Sequence, residues 1–391
     1  MIQVLNSKNN SSLFHRIHFL WLMPILLSAC GVGGGDIQKS QPENGVFTYT
    51  GDLVTAHYYH TATTLPDGKV LIVGGPDQDV TAELYVPLTG TFSLTGSLTK
   101  ARGQHTATLL PSGKVLIAGG NLGPESIKYP FFASEIYDPD SGEFSVSGLP
   151  VYWLTVSKHT ATLLSDGKVL IVGGYDMSRF GATASCWLYD PQYDTLTGTG
   201  KLIEARFSHT ATLLPDGNVL IAGGEYIDGS NATKYIATAE IYNPKTGTFS
   251  LTSNMSQARG LASATLLTDG RVFIAGGRDE YTATATAEYY NPTMGVFTDA
   301  GNMRSARSAH SATLLPDGSV LLAGGRGNSS QLISSAEIFG PQTGDFKAVG
   351  DLNTARELHT ASLLPSGKVL IAAGRGPSAL AEAEIYDPAS E

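Results

Sequence analysis

The stretch HTATLLPDGNVLIAGG at 209–224 recurs with small changes along the whole chain, and that recurrence confines the protein to folds assembled from repeated units. Each copy reads as two short strands of β-branched and aliphatic residues, joined by the Asp-Gly or Ser-Gly pair that a tight hairpin demands. The first residue of each Gly-Gly doublet falls at Gly74, Gly119, Gly173, Gly223, Gly276, Gly324 and, as Ala-Gly, Ala373. Successive differences are 45, 54, 50, 53, 48 and 49 residues. A period near fifty that contains hairpins belongs to a propeller of four-stranded blades, so the expected fold is all-β with seven blades. Because such units bury their faces against one another, the 391 residues need only one folded domain.

The rest of each repeat follows the doublet. A loop of variable length leads to a third strand (AEIYDP), a Thr-Gly turn, a fourth strand (TFSLTG) and a connection containing Ala-Arg. Antiparallel strands alternate in direction, so the second-to-third loop and the fourth-to-first connection share one face, the face expected to carry function. The segment PENGVF at 42–47 matches PKTGTF at 244–249, the turn into a fourth strand. The chain thus opens with a fourth strand and ends, at EIYDP (384–388), with a third. The N-terminal strand is expected to complete the last blade and close the ring without a free edge.

The doublets, the Tyr three residues before the turn in YDPDSGEF and YNPKTGTF, and the aromatic seven residues after that Tyr resemble kelch repeats over about 42–388. The chain departs from kelch repeats where they usually carry Trp: Phe92, Phe144, Phe249, Phe297 and Phe346 stand there, and Leu196 in the third repeat. Phe fills the same space with less area, so the fold expectation is unchanged.

Residues 1–29 are set apart from the repeats. Lys8 and Arg16 precede an apolar run at 17–27, too short for the roughly 20 residues of a membrane span, and Leu27-Ser28-Ala29-Cys30 resembles the lipobox of bacterial lipoproteins. That resemblance implies cleavage before Cys30, lipid attachment at Cys30, and a propeller anchored in the cell envelope by lipid alone. Val32, rather than an Asp, two residues after the cysteine implies the outer membrane. The expected organisation is a signal peptide at 1–29, a Gly-rich tether at 30–41 and a monomeric propeller at 42–391. Removing the leader takes the net charge from -10 to -12, which argues against nucleic-acid partners. With Cys30 lipidated, Cys186 stands alone, so no disulfide is expected and Cys186 reads as a small buried hydrophobe.

His60, His105, His159, His209, His310 and His359 occupy one repeat position, with His57 beside the first. Equivalent positions on adjacent blades lie roughly 10 Å apart, whereas zinc ligands sit about 2 Å from the metal. The histidines are therefore expected to be hydrogen-bonded strand residues, and neither metal nor cofactor is expected. Arg102, Arg206, Arg259, Arg307 and Arg356 stand three residues before that His position, with His57 and Val156 in the other two repeats. They read either as an anion-attracting ring at the channel mouth or as structural partners of Glu83, Glu135, Glu240, Glu288, Glu337 and Glu384. The third repeat lacks both members, having Val156 and Trp187, as a structural pair would predict.

The third repeat also departs most from the pattern. Tyr152, Trp153, Tyr175, Arg179, Phe180 and Trp187 fall on neighbouring parts of the variable face and form the candidate binding surface for a glycan, peptide or protein. The same aromatics read equally as cover for an irregular blade junction. With no catalytic constellation visible, the expected function is a non-catalytic binding or scaffolding lipoprotein. The alternative is a carbohydrate-active enzyme using the central pocket. Kelch-like propellers occur in copper-radical oxidases such as galactose oxidase and in sugar epimerases. The oxidase resemblance would require a Tyr joined to a Cys and clustered His ligands. The epimerase resemblance would require an acid–base pair in the pocket.

Overall fold

The computed structural model describes residues 45–76, 79–121, 134–147 and 156–388. Among them there is no α-helix, and seven antiparallel sheets of four strands account for most of the structure. The fourth sheet shows the plan: Thr210–Leu213, Val219–Ala222, Ala239–Asn243 and Thr248–Leu251 pair in chain order. The seventh differs only in the source of its last strand. Val46–Tyr49 pairs antiparallel with Ala383–Asp387, in the register Val46 to Asp387 and Phe47 to Tyr386.

The sequence dictates which strand is buried. The second strands (Val70–Val73, Val115–Ala118 and their equivalents) are continuous apolar runs and are buried throughout, as strands covered on both faces must be. Alternation sends successive side chains to opposite neighbours. Leu71 and Val73 pack with Val115 and Ile117 of the second sheet, while Val70 and Ile72 pack with Leu370 and Ala372 of the seventh. Each of seven apolar clusters is built in this way by two adjacent sheets, one of them joining the seventh sheet to the first. Fourth strands are largely exposed, their Phe pairing across the sheet with the third-strand Tyr at centroid distances of 4.8 Å (Tyr85 and Phe92) and 4.9 Å (Tyr137 and Phe144). Phe47 does the same for Tyr386 at 5.0 Å.

The doublets exist because sheets approach closely there. Gly223 has φ 67°, and a Cβ on it would lie 2.5 Å from the carbonyl oxygen of Arg259 in the next sheet. The adjacent Gly224 donates its N–H to that carbonyl at 2.9 Å. The doublet is the seam between neighbouring sheets.

Candidate functional site

The repeated histidines form a side-chain chain from sheet to sheet. His105 Nε2 lies 2.9 Å from Thr61 Oγ1 of the preceding sheet, His159 Nε2 3.0 Å from Thr106 Oγ1, and His60 Nε2 2.9 Å from Thr360 Oγ1, linking the first sheet to the seventh. His209, His310 and His359 repeat the contact with Thr160, Ser263 and Ser311. Burial pushes these imidazoles down, to about 3 for His60, His310 and His359 and to about 4 for His159, so they are neutral.

The repeated arginines lie in the wall, not in the channel. Arg206, fully buried, donates Nη1 to the carbonyls of Gly223 (2.7 Å) and Thr238 (3.0 Å), and Nη2 to Glu240 Oε1 at 3.0 Å. Glu240 in turn accepts the backbone N–H of Ile203 and Glu204, fixing the incoming connection. Arg102–Glu135 (2.7 Å), Arg259–Glu288 (2.7 Å), Arg307–Glu337 (2.9 Å) and Arg356–Glu384 (2.8 Å) repeat the ion pair. None of these guanidinium groups lines the central cavity.

In the first sheet His57 takes the arginine's place, with Nδ1 2.7 Å from Asp79 and Nε2 3.3 Å from Glu83. Burial alone would lower its pKa, but the bonds to the two carboxylates outweigh it and raise it to about 9. A raised folded-state pKa stabilises fully below the unfolded value of 6.5 and is lost as pH climbs through 9. Thermal unfolding is therefore expected to lose about 3 kcal/mol of stabilisation across that window. His57→Gln should flatten the dependence; a wild-type curve already flat from pH 6.5 to 9.5 would contradict this pairing.

The cavity, of about 400 Å³, is lined from all seven sheets. The residue preceding each repeated histidine position enters it, so that a ring is formed by Tyr59, Gln104, Lys158, Ser208, Leu261, Ala309 and Leu358. All seven have left-handed backbone, with φ between 51° and 59°. That conformation is costly for non-glycine residues, and a relay of backbone bonds holds it. Gln104 N–H donates to Tyr59 O (2.9 Å), Lys158 to Gln104 (3.1 Å), Ser208 to Lys158 (2.9 Å), and so on round to Leu358 N–H, which donates to Ala309 O (3.1 Å).

Above this ring the residues that follow the doublets supply charge. Arg278, Arg326 and Arg375 occupy the same position in the fifth, sixth and seventh sheets and line one side of the cavity. Backbone bridges to Gly260, Ser308 and Glu357 place them. Arg326 Nη2 (2.7 Å) and Arg375 Nε (2.8 Å) and Nη2 (2.6 Å) converge on Glu357 Oε1. Burial raises the Tyr59 pKa, opposed by Arg375 and by a hydrogen bond with Gln104, so the phenol holds its proton at neutral pH. Glu225, at the Arg278 position of the fourth sheet, is buried; burial raises its pKa against the pull of Lys158 and Arg278. Sequence reasoning missed this group. Its signal was the run Gly-Gly-Arg, Gly-Gly-Arg, Ala-Gly-Arg in three successive repeats.

The aromatic patch is not brought together as expected. Tyr175 turns to Phe207, edge-on at 5.4 Å, and Trp187 is partly buried in the wall between the second and third sheets. Phe180 is 61% exposed. Arg179 stays near Asp176, 3.6 Å away, and with Trp187 borders a separate cavity of about 400 Å³. Tyr152, Trp153 and Cys30 lie outside the described residues. Cys186 is buried and its thiol is pushed up to about 12, which makes it inert.

Residues 261–304 match the Kelch motif family, and no curated protein matches the sequence. Among solved structures the chain is similar to a fungal alcohol oxidase of the AA5 family in complex with copper, with a TM-score of 0.70 at 16% identity, covering 89% of this chain and 76% of that one. The fold is a β-propeller that carries a Kelch motif at 261–304. The expectation of a non-catalytic binding lipoprotein is corrected here: a solved structure of similar fold is that of an enzyme, and the cavity common to the sheets is lined by ionisable groups rather than by the aromatic patch. The copper of that relative does not fit this propeller. Among the described residues no three His, Cys, Asp or Glu side chains converge on a point that could hold a metal, and the repeated imidazoles are each bonded to a hydroxyl.

Proposed function

We propose that the seven sheets are the blades of one closed seven-bladed propeller, and that the chain is a carbohydrate-active enzyme of the epimerase kind, isomerising a sugar by proton transfer in the central cavity. The observation that carries this reading is the placement of Glu357 beside Tyr59 in a cavity lined by every sheet. Both arginines bond Oε1 of Glu357, so the proposed role of base falls to Oε2. In the proposed step Oε2 takes the proton of the anomeric hydroxyl while the Tyr59 phenol gives its proton to the ring oxygen. The bond between C1 and the ring oxygen breaks, the open-chain aldehyde rotates, and reclosure returns both protons. No oxidant or metal enters the balance. Gln104 and Lys158 line the same cavity and are suited to hold sugar hydroxyls. The Leu27-Ser28-Ala29-Cys30 segment supports a location in the cell envelope, with Cys30 as the lipid-bearing residue.

Anomer interconversion by reducing sugars, followed by NMR exchange at a pH where the spontaneous reaction is slow, tests the reading. Glu357→Gln is expected to lower the catalysed rate by about 10²–10⁴-fold, and Tyr59→Phe comparably. Full activity in Glu357→Gln would sink it, as would inertness toward every sugar offered.

A further inference from the structure

The third sheet keeps the acceptors of a wall arginine although its sequence has no arginine there. In the fifth sheet Arg259 donates Nη1 to the carbonyls of Gly276 (3.0 Å) and Thr286 (2.9 Å), and Nη2 to Thr286 Oγ1 (3.0 Å) and Glu288 Oε1 (2.7 Å). The third sheet reproduces that frame. Gly173 N–H donates to Ser185 O at 3.0 Å, as Gly276 does to Thr286 O at 3.1 Å, and Thr183 bonds the Ser185 hydroxyl at 3.1 Å, as Thr284 bonds that of Thr286 at 3.0 Å. The strand register is the same, with Val172 opposite Cys186 as Ala275 is opposite Ala287. Three of Arg259's four acceptors thus have counterparts: the carbonyls of Gly173 and Ser185 and the Ser185 hydroxyl. Val156 stands at the arginine position and offers no donor, and Trp187 stands at the glutamate position. The first sheet, which also lacks the arginine, fills the place with His57 bonded to Glu83.

Val156, Gly173, Ser185 and Trp187 border the separate cavity of about 400 Å³. Its two ends differ in chemistry. The inner end is buried at Val156 and Thr183 and presents carbonyl and hydroxyl oxygens, which call for N–H donors. Asp176, opposite Val156 in the strand pairing, adds a carboxylate. Trp187 adds an indole, whose face attracts a planar cation. The cavity reaches the surface beside Arg179 and Lys201, both exposed, which suit an anion. We infer that this cavity binds a guanidino acid, its guanidinium meeting the Gly173 and Ser185 oxygens against Trp187 and its carboxylate meeting Arg179 and Lys201. The ligand would then supply to the third wall the group that five other sheets supply from their own sequence. This site shares none of its described lining residues with the central cavity, so it stands whether or not the chain isomerises sugars.

Calorimetric titration of the full chain with 4-guanidinobutyrate, against butyrate and agmatine, tests the assignment. 4-Guanidinobutyrate is expected to bind about tenfold or more tightly than butyrate, which lacks the guanidinium, and than agmatine, which carries an amine in place of the carboxylate. It should also raise the thermal midpoint, as a ligand selective for the folded state does. Val156→Arg combined with Trp187→Glu rebuilds the pair of the other sheets and is expected to weaken binding about tenfold or more, with a thermal midpoint no lower than that of the wild type. Ser185→Ala keeps the test decisive if that variant fails to fold. It removes one acceptor at a position where the second repeat already has Ala133, and is expected to weaken binding about threefold or more. Butyrate or agmatine binding as tightly as 4-guanidinobutyrate, affinity unchanged in the folded wall variants, or neither heat nor a midpoint shift at about 50 mM ligand would each overturn the proposal.

Discussion

Acidification from pH 6.5 toward 5 is expected to unfold the propeller in a steep, cooperative step. Burial holds His60, His310 and His359 at about 3, His159 at about 4, and His105 and His209 well below the ordinary value of 6.5. Between the folded and unfolded values only the unfolded chain takes up these protons. The stabilisation is therefore complete above pH 6.5 and falls as pH drops. Each histidine contributes about 1.4 kcal/mol per pH unit, and six together about 8 kcal/mol per unit, enough to consume the stability of an ordinary domain within two units. Fluorescence or circular dichroism measured against pH gives the slope. Substituting His159 and His209 with Gln, which keeps a hydrogen-bonding group, should reduce it by about a third. A protein still native at pH 4 would show that the imidazoles are not held neutral.

Arg206→Ala is expected to cost about 3–5 kcal/mol in urea denaturation, because it strands Glu240 without its counter-ion and leaves the Gly223 and Thr238 carbonyls short of a donor. The paired replacement Arg206→Val with Glu240→Trp should recover much of that loss. The third sheet already carries this combination as Val156 and Trp187, with Trp187 packed against the apolar cluster there. A single Arg206→Ala variant within about 1 kcal/mol of wild type would mean that the wall pair is incidental.

The strand plan was legible because it rests on local chemistry repeated many times. The apolar second strands, the Asp-Gly hairpins and the fourth-strand Phe each announce themselves in every copy, and the match of 42–47 to 244–249 identified the strand that completes the seventh sheet. The ion pairs in the wall were visible as a joint absence, at Val156 and Trp187. His57 looked like an exception only because Asp79, its closer partner at 2.7 Å, lies in a loop with no repeat signature. The central cavity was not legible in the same way. The position after the doublet reads Pro76, Asn121, Tyr175, Glu225, Arg278, Arg326 and Arg375, and a search for sameness passes over a column that differs in most rows. The irregular third repeat drew the eye instead, although packing sends its Tyr175 and Trp187 to separate neighbours.

The left-handed residues around the cavity have an evolutionary reading. Each occupies an address set by the backbone relay and by its neighbours in the wall, so the letter written there is free of the demands of strand, hairpin or core. Tyr, Gln, Lys, Ser, Leu, Ala and Leu already share one address type. A lineage with this scaffold can respell the cavity one letter at a time, exchanging substrates while the frame that spells them stays in print.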